Sequence, residues 1–245
     1  MFEPRVALAS LSGESDAQWA RRGAAHAGAA FLGGVSLDDQ TRDAARKLVA
    51  RDRTEFLPAD PIAFIDTELG ALAETTLQPG VNVRTVTAEP VREAAAVCER
   101  HDAILELNAH CRQDEMCAVG AGETLLADTE RLCKYVDVAA ETGATVSVKV
   151  RAEVEGVDLA ETASGVETAG ADILHVDAMD SEAVIAEVSN ADLFVIANNG
   201  VRGTETVREY LAFGADAVSV GRPSDNPTVL ARVRRATQQW FGGRP

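Results

Sequence analysis

Residues 103–151 read AILELNAHCRQDEMCAVGAGETLLADTERLCKYVDVAAETGATVSVKVR, and their rhythm changes twice. The stretch opens on a short aliphatic run, 103–108, and closes on a second, 145–151, where valines alternate with Ser, Lys and Arg. Between them, 123–141 carries Leu, Val, Tyr and Ala at helical spacing, and Gly143 offers a helix end just before the second run. Strand, helix and strand in that order form a right-handed βαβ unit with parallel strands.

The same alternation extends in both directions. Short apolar runs at 6–11, 30–35, 81–87, 173–177, 193–197 and 217–220 bring the expected strands to eight. Helical patterns lie at 90–99 and 204–213, and Gly170 and Gly214 stand where helices should stop before the sixth and eighth strands. Eight such units fill 245 residues, so the expected fold is α/β, a single (β/α)8 barrel over residues 1–245. The segment 51–79, with Pro58, Pro61 and Pro79, is the irregular part and is expected to hold one extra helix.

Composition narrows the function. At 46% hydrophobic and 25% charged the chain is globular, not disordered. No apolar run reaches the roughly 18 residues that span a bilayer, and the amino terminus lacks a basic-then-apolar secretory pattern, so a cytoplasmic protein is expected. The formal charge is −16, with three lysines (Lys47, Lys134, Lys149), and this arginine-for-lysine, acid-rich balance is like that of proteins from salt-loving archaea. Such a balance disfavours a broad nucleic-acid footprint. The four cysteines, Cys98, Cys111, Cys117 and Cys133, suggest no disulfide framework.

Active sites of such barrels lie at the C-terminal strand ends, and phosphate docks after the seventh and eighth. Those ends carry Ala9, Ser10 and Leu11; Arg84; Asn108, His110 and Cys111; Lys149 and Arg151; His175 and Asp177; Asn198, Asn199 and Gly200; and Gly221 and Arg222. The Asn-Asn-Gly turn tolerates left-handed backbone and can direct N–H groups at an anion. Gly221 allows close backbone approach, Arg222 can grip a phosphate with two hydrogen bonds, and a helix starting near Ser224 or Asp225 would add its dipole. Lys149, inside a buried strand, needs either a carboxylate such as Glu106 or an electron-rich ligand. Cys111, on a loop, suits proton transfer or nucleophilic attack. His110, Cys111 and Cys117 are poorly spaced for zinc, and no metal is expected.

Taken in order, these segments resemble the dihydrouridine synthase family of flavin-dependent barrels. VALASLSGESDAQWAR is similar to that family's LAPMAGxTDxxFR, and LELNAHCRQDEMCAVGAGETLL to its LNxGCPxxxVxxxGxGxxLL. VSVKVR resembles VTVKIR, LHVDA resembles VHGR, VIANNGV resembles VIANGDI, and ADAVSVGRPSDNPTVL resembles ADGVMIGRGALGNPWIF. The resemblance implies FMN as cofactor, Cys111 as catalytic proton donor and acceptor, and Asn108 as a substrate ligand. It implies that Ala9, Ser10, Leu11, Arg84, Lys149 and His175 contact the flavin, and that Asn198, Asn199, Gly200, Gly221 and Arg222 hold its phosphate. NAD(P)H is the implied reductant.

The sequence also departs from the family. Arg112 replaces the proline after the cysteine, His110 the glycine before it, Arg84 a strand-three glutamine, and Gly200 the aspartate of the seventh loop. No segment resembles the family's C-terminal helical domain that grips transfer RNA. The expected substrate is therefore a small pyrimidine-like ring, with transfer RNA less favoured. Enzymes of the dihydroorotate and dihydropyrimidine dehydrogenase kind are the alternative. A flavin-free barrel acting on a phosphorylated metabolite, and a non-catalytic barrel, complete the range.

Overall fold

Eight strands pair in sequence order, every pair parallel, and the last returns to the first to close a barrel. They are β1 (Val6–Leu8), β2 (Ala29–Ser36), β3 (Gln78–Arg84), β4 (Ile104–Asn108), β5 (Thr145–Arg151), β6 (Ile173–Asp177), β7 (Phe194–Asn198) and β8 (Ala217–Val220). The computed structural model describes residues 1–243. Helices wrap the outside, so the chain is a (β/α)8 barrel. Among the described residues no helix is long and apolar enough to cross a membrane.

Part of the acidic surplus has a local use. Asp16, Asp38, Asp60, Asp128 and Asp158 each cap a helix N-terminus, accepting hydrogen bonds from the first free N–H groups. At the other ends Gly143, Gly170 and Gly214 take positive φ, as expected of residues that let a helix stop.

Four boundaries move from their expected places. β1 ends at Leu8 because the Ser15 hydroxyl takes the Leu11 N–H at 2.8 Å and turns the chain. β3 runs from Gln78 to Arg84; beyond it, Thr85 and the Val86 N–H are both tied to the Asp38 carboxylate at 2.7 Å. The expected 123–141 helix is two, Glu123–Leu126 and Thr129–Ala140, because Asp128 stops pairing as helix and caps the second. The last helix starts at Pro227 behind a 3-10 turn, Arg222–Asp225, and not at Ser224 or Asp225. Its first N–H groups bond the Asn226 side chain, so its dipole is capped internally. The irregular segment does hold an extra helix, Pro61–Gly70.

The interior of the barrel is layered. At the N-terminal end Phe2, Phe31, Ile104, Ile173 and Ile196 form an apolar plug. Above it, buried polar side chains project inward: Asn82, Glu106, Ser147, His175 and Ser219. The larger apolar core lies between strands and helices. Sealing the bottom leaves the C-terminal mouth as the open end.

Candidate active site at the barrel mouth

A cavity of about 470 Å³ opens at the C-terminal strand ends. Ala9, Ser10 and Leu11 line it from the loop after β1, Arg84 from β3, and Asn108 and Cys111 from β4 and its loop. Lys149 lines it from β5, Asn198, Asn199 and Gly200 from β7 and its loop, and Gly221 and Arg222 from the turn after β8. Of the strand-end residues singled out in the sequence, His175 is the one that does not reach the cavity: it is fully buried one layer below, with both ring nitrogens engaged. The expectation that His175 touches a cofactor is corrected accordingly.

Lys149 had two possible partners. Its residue is 2% exposed, yet its ammonium has no hydrogen bond or ion pair among the described residues. Glu106 is committed elsewhere: Oε1 accepts from Asn82 at 2.8 Å, and Oε2 from His175 at 2.7 Å and Ser147 at 3.2 Å. Burial pulls the Lys149 pKa down, while the fields of Glu106 and Asp177 oppose that pull. The ammonium opens onto the cavity, where its charge is met by water or by a ligand.

The seventh and eighth loops are shaped as their residues suggest. Asn199 (φ +94°) and Gly200 (φ +62°) both adopt left-handed backbone. A Cβ added at Gly200 or Gly221 would meet no atom within 4 Å, so both backbones border open space. Arg202 and Arg222 line this side and form no side-chain hydrogen bond or ion pair among the described residues. Asn198 is a different matter. Its amide nitrogen is taken up by the Ser219 hydroxyl at 2.8 Å and the Ser219 carbonyl at 3.2 Å. It therefore presents an acceptor oxygen, which cannot donate to a phosphate, and the donors left facing this side are the backbone and the arginines.

On the opposite wall the Cys111 loop is held from beneath and behind. Its N–H bonds Asn108 Oδ1 at 3.1 Å, and its carbonyl accepts from the Glu123 N–H at 2.9 Å. Gly122 passes so close (φ +62°) that a side chain there would collide with the Cys111 carbonyl. Cys117 donates weakly to that carbonyl at 3.5 Å. His110 lines the cavity beside Cys111, and its pKa is held well below the usual value by burial and by Lys149, His175, Arg84 and Arg151 around it. It is neutral at pH 7. Among the described residues no three metal-ligating side chains cluster.

Arg84 completes the wall through a partner the sequence did not suggest. Glu55, from the irregular segment, meets its Nη1 at 2.6 Å with both side chains buried (1% and 3% exposed), and Ser12 accepts from Nη2. Burial works against the Arg84 charge, but Cys111 and Glu55 outweigh it and hold the pKa above its ordinary value. Arg151 is paired with Glu123 at 2.9 Å, while Arg112 lines the mouth without an ion-pair partner among the described residues. The mouth of this strongly acidic chain is thus rich in cations.

Fold and mouth together define a (β/α)8 barrel with a cation-lined cavity at its C-terminal strand ends. The family is narrower than that. The dihydrouridine synthase (Dus) family model matches residues 72–243, and the chain belongs to the dihydrouridine synthase family, a family of oxidoreductases. An uncharacterized protein of Methanocaldococcus jannaschii is 28% identical over 234 residues, 90% of this chain and 89% of that one. Among solved structures, DHODH from Eimeria tenella superposes with a TM-score of 0.69 at 14% identity, covering 97% of this chain and 84% of the other. The tryptophan synthase complex from Pyrococcus furiosus gives 0.59 at 13% identity over 99% and 100%. At such identities the structural likeness concerns the barrel itself.

Proposed function

We propose that the protein is an FMN-dependent oxidoreductase of dihydrouridine synthase type, acting on the C=C bond of a uracil-like ring with Cys111 exchanging the proton on the neighbouring carbon. The observation that carries this reading is Lys149, a residue buried in β5 whose ammonium opens onto the cavity without a hydrogen-bond partner among the described residues. The residues present fit the cofactor: the Gly200 and Gly221 backbones leave room for a phosphate, and Arg202 and Arg222 are free to grip it. When bound, FMN supplies the hydride.

The remaining steps belong to the chain. Lys149 offsets negative charge that develops beside it, in a site where little water screens the effect. Cys111, half-buried on a braced loop, moves a proton at its sulfur. Asn108 has one amide hydrogen not used internally and offers it to a ring carbonyl. Seat, thiol and ammonium share one cavity, which supplies the orientation on which hydride transfer depends. NAD(P)H is the reductant to supply in an assay, and the reduced state of four free cysteines suits a cytoplasmic enzyme.

The charge distribution supports a narrower substrate. The whole chain carries −16, while Arg112, Lys149 and Arg202 gather at the mouth. That pattern favours a small ring with a local negative group over a long polyanion whose contacts would spread across an acidic surface. The test begins with the absorbance spectrum and an FMN titration of protein purified in high salt: a yellow protein binding one FMN is expected, and a folded protein without flavin affinity overturns the reading. Deleting the gene and digesting cellular transfer RNA for mass spectrometry then separates the substrates. Dihydrouridine should persist, and its loss would restore RNA as the substrate.

A further inference from the structure

Beneath the cavity the buried polar side chains form one continuous path. The Cys111 N–H donates to Asn108 Oδ1 at 3.1 Å, Asn108 Nδ2 to Asn82 Oδ1 at 2.8 Å, and Asn82 Nδ2 to Glu106 Oε1 at 2.8 Å. From the other carboxylate oxygen the path continues to His175 Nδ1 at 2.7 Å, from His175 Nε2 to Ser219 Oγ at 2.7 Å, and from Ser219 Oγ to Asn198 Nδ2 at 2.8 Å. Asn82, Glu106, His175 and Ser219 are fully buried, so no water competes for these bonds.

One carboxylate in the middle of this path and backbone groups at its two ends, the Cys111 N–H and the Ser219 carbonyl, set the direction of its bonds. A carboxylate only accepts. Asn82 must therefore turn its NH2 to Glu106 and its oxygen to Asn108, which must then turn its own NH2 to Asn82 and its oxygen to the Cys111 loop. On the other arm His175 must carry its proton on Nδ1, leaving Nε2 to accept from the Ser219 hydroxyl, whose oxygen then accepts from Asn198. An amide or a neutral imidazole by itself has no such preference, since each can be reversed at little cost. The surroundings of the carboxylate sustain its ionisation: burial opposes it, but the hydrogen bonds from His175 and Asn82 and the charge of Lys149 hold Glu106 below the usual carboxylate range.

We propose that Glu106 is the positioning residue of the site, a single buried carboxylate that anchors two arms, one bracing the Cys111 loop through Asn82 and Asn108 and the other fixing the His175 tautomer beneath Ser219. Its catalytic meaning rests on the proposed role of Cys111, but the orientation itself does not. Asn198, its amide nitrogen held by the Ser219 carbonyl and hydroxyl, leaves an acceptor oxygen for a ligand N–H or O–H.

Glu106→Gln removes the charge while keeping the shape. In the purified protein, long-range proton–nitrogen NMR of the four histidines should show His175 as a single Nδ1–H tautomer, and Glu106→Gln should convert it to a mixture. Iodoacetamide labelling of Cys111, read by peptide mass, should speed up about two- to tenfold as the loop loses its anchor, the range of one net hydrogen bond. Turnover should fall through kcat with little change in KM.

Two further variants separate the arms, and they decide the matter even where Glu106→Gln does not fold. Asn82→Ala should accelerate Cys111 labelling and leave the His175 tautomer single. Ser219→Ala should leave Cys111 labelling at the wild-type rate and the His175 tautomer single, since the Glu106 carboxylate still takes the Nδ1 proton. A Glu106→Gln protein with one His175 tautomer and unchanged labelling overturns the proposal, as does an Asn82→Ala protein whose Cys111 reacts no faster. Neither readout needs flavin, so a failure of the FMN reading would show separately in the titration.

Discussion

Replacing Glu55 by Gln should destabilise the barrel far more than the loss of a surface ion pair. The Glu55 carboxylate meets Arg84 at 2.6 Å with both side chains almost fully buried, and Arg84 Nε has no other partner. Taking away one charge strands the other in a low-dielectric wall, and breaking such pairs costs about 3–5 kcal/mol. Glutamine keeps an acceptor and Ser12 still accepts from Nη2, so the lower end applies: about 3 kcal/mol, or roughly 6–12 °C in Tm for a chain of this size. The double variant Glu55→Leu with Arg84→Met removes both charges together and should recover most of that loss. Urea unfolding of the wild type, Glu55→Leu, Arg84→Met and the double forms a cycle in which the general salt response of an acidic chain cancels. The coupling should hold between about 0.15 M and 1 M salt because the pair is shielded from solvent, whereas that of Arg92 and Glu141, 44% and 54% exposed, should be small and shrink. A Glu55→Gln shift no larger than that of Arg92→Gln, or a double variant as unstable as the single, would refute the argument.

Three other outcomes follow from the same geometry. Arg222→Ala should weaken FMN binding about 10- to 100-fold, the value of a charge-assisted phosphate contact of about 1.5–3 kcal/mol, measured by flavin fluorescence titration. Cys111→Ala should still bind flavin while ring turnover falls by roughly 10²–10⁴, and Cys117→Ala should be mild; an essential Cys117 with a dispensable Cys111 would reverse the assignment. His175, fully buried, and His110, half-buried at the cavity wall, have pKa values pulled below 6.5 by burial and nearby cations, so the unfolded chain takes up their protons first. Stability should therefore fall with pH below about 6.5, by about 1.4 kcal/mol per pH unit per histidine, and His110→Asn should about halve that slope. A stability profile flat from about pH 6.5 to 5, or a His110→Asn slope equal to wild type, would contradict it.

The sequence by itself determined the barrel. Eight apolar runs separated by helical patterns leave parallel closure as the way to bury every strand, and the residues at the strand ends had to gather at one mouth. Cys111, Lys149, Gly200, Gly221 and Arg222 were legible because each breaks its local pattern at a strand end. A second signal was also present: within VNVRT, LELN, VSVKVR and AVSVG every second residue is polar, the mark of strands whose inner face is not apolar. It pointed to Asn82, Glu106, Ser147 and Ser219 as a set but could not say which would touch.

Only the tertiary structure decided that. Glu106 and His175 are separated by 69 positions and Glu55 and Arg84 by 29, and their pairing depends on strand register and loop path, which no local pattern encodes. Lys149 could have paired with Glu106; it faces the cavity because Asn82, His175 and Ser147 already occupy that carboxylate. His175 sits below the cavity, and Asn198 turns its oxygen inward, for a reason of the same kind: a buried donor or acceptor takes the partner that the closed barrel brings within reach.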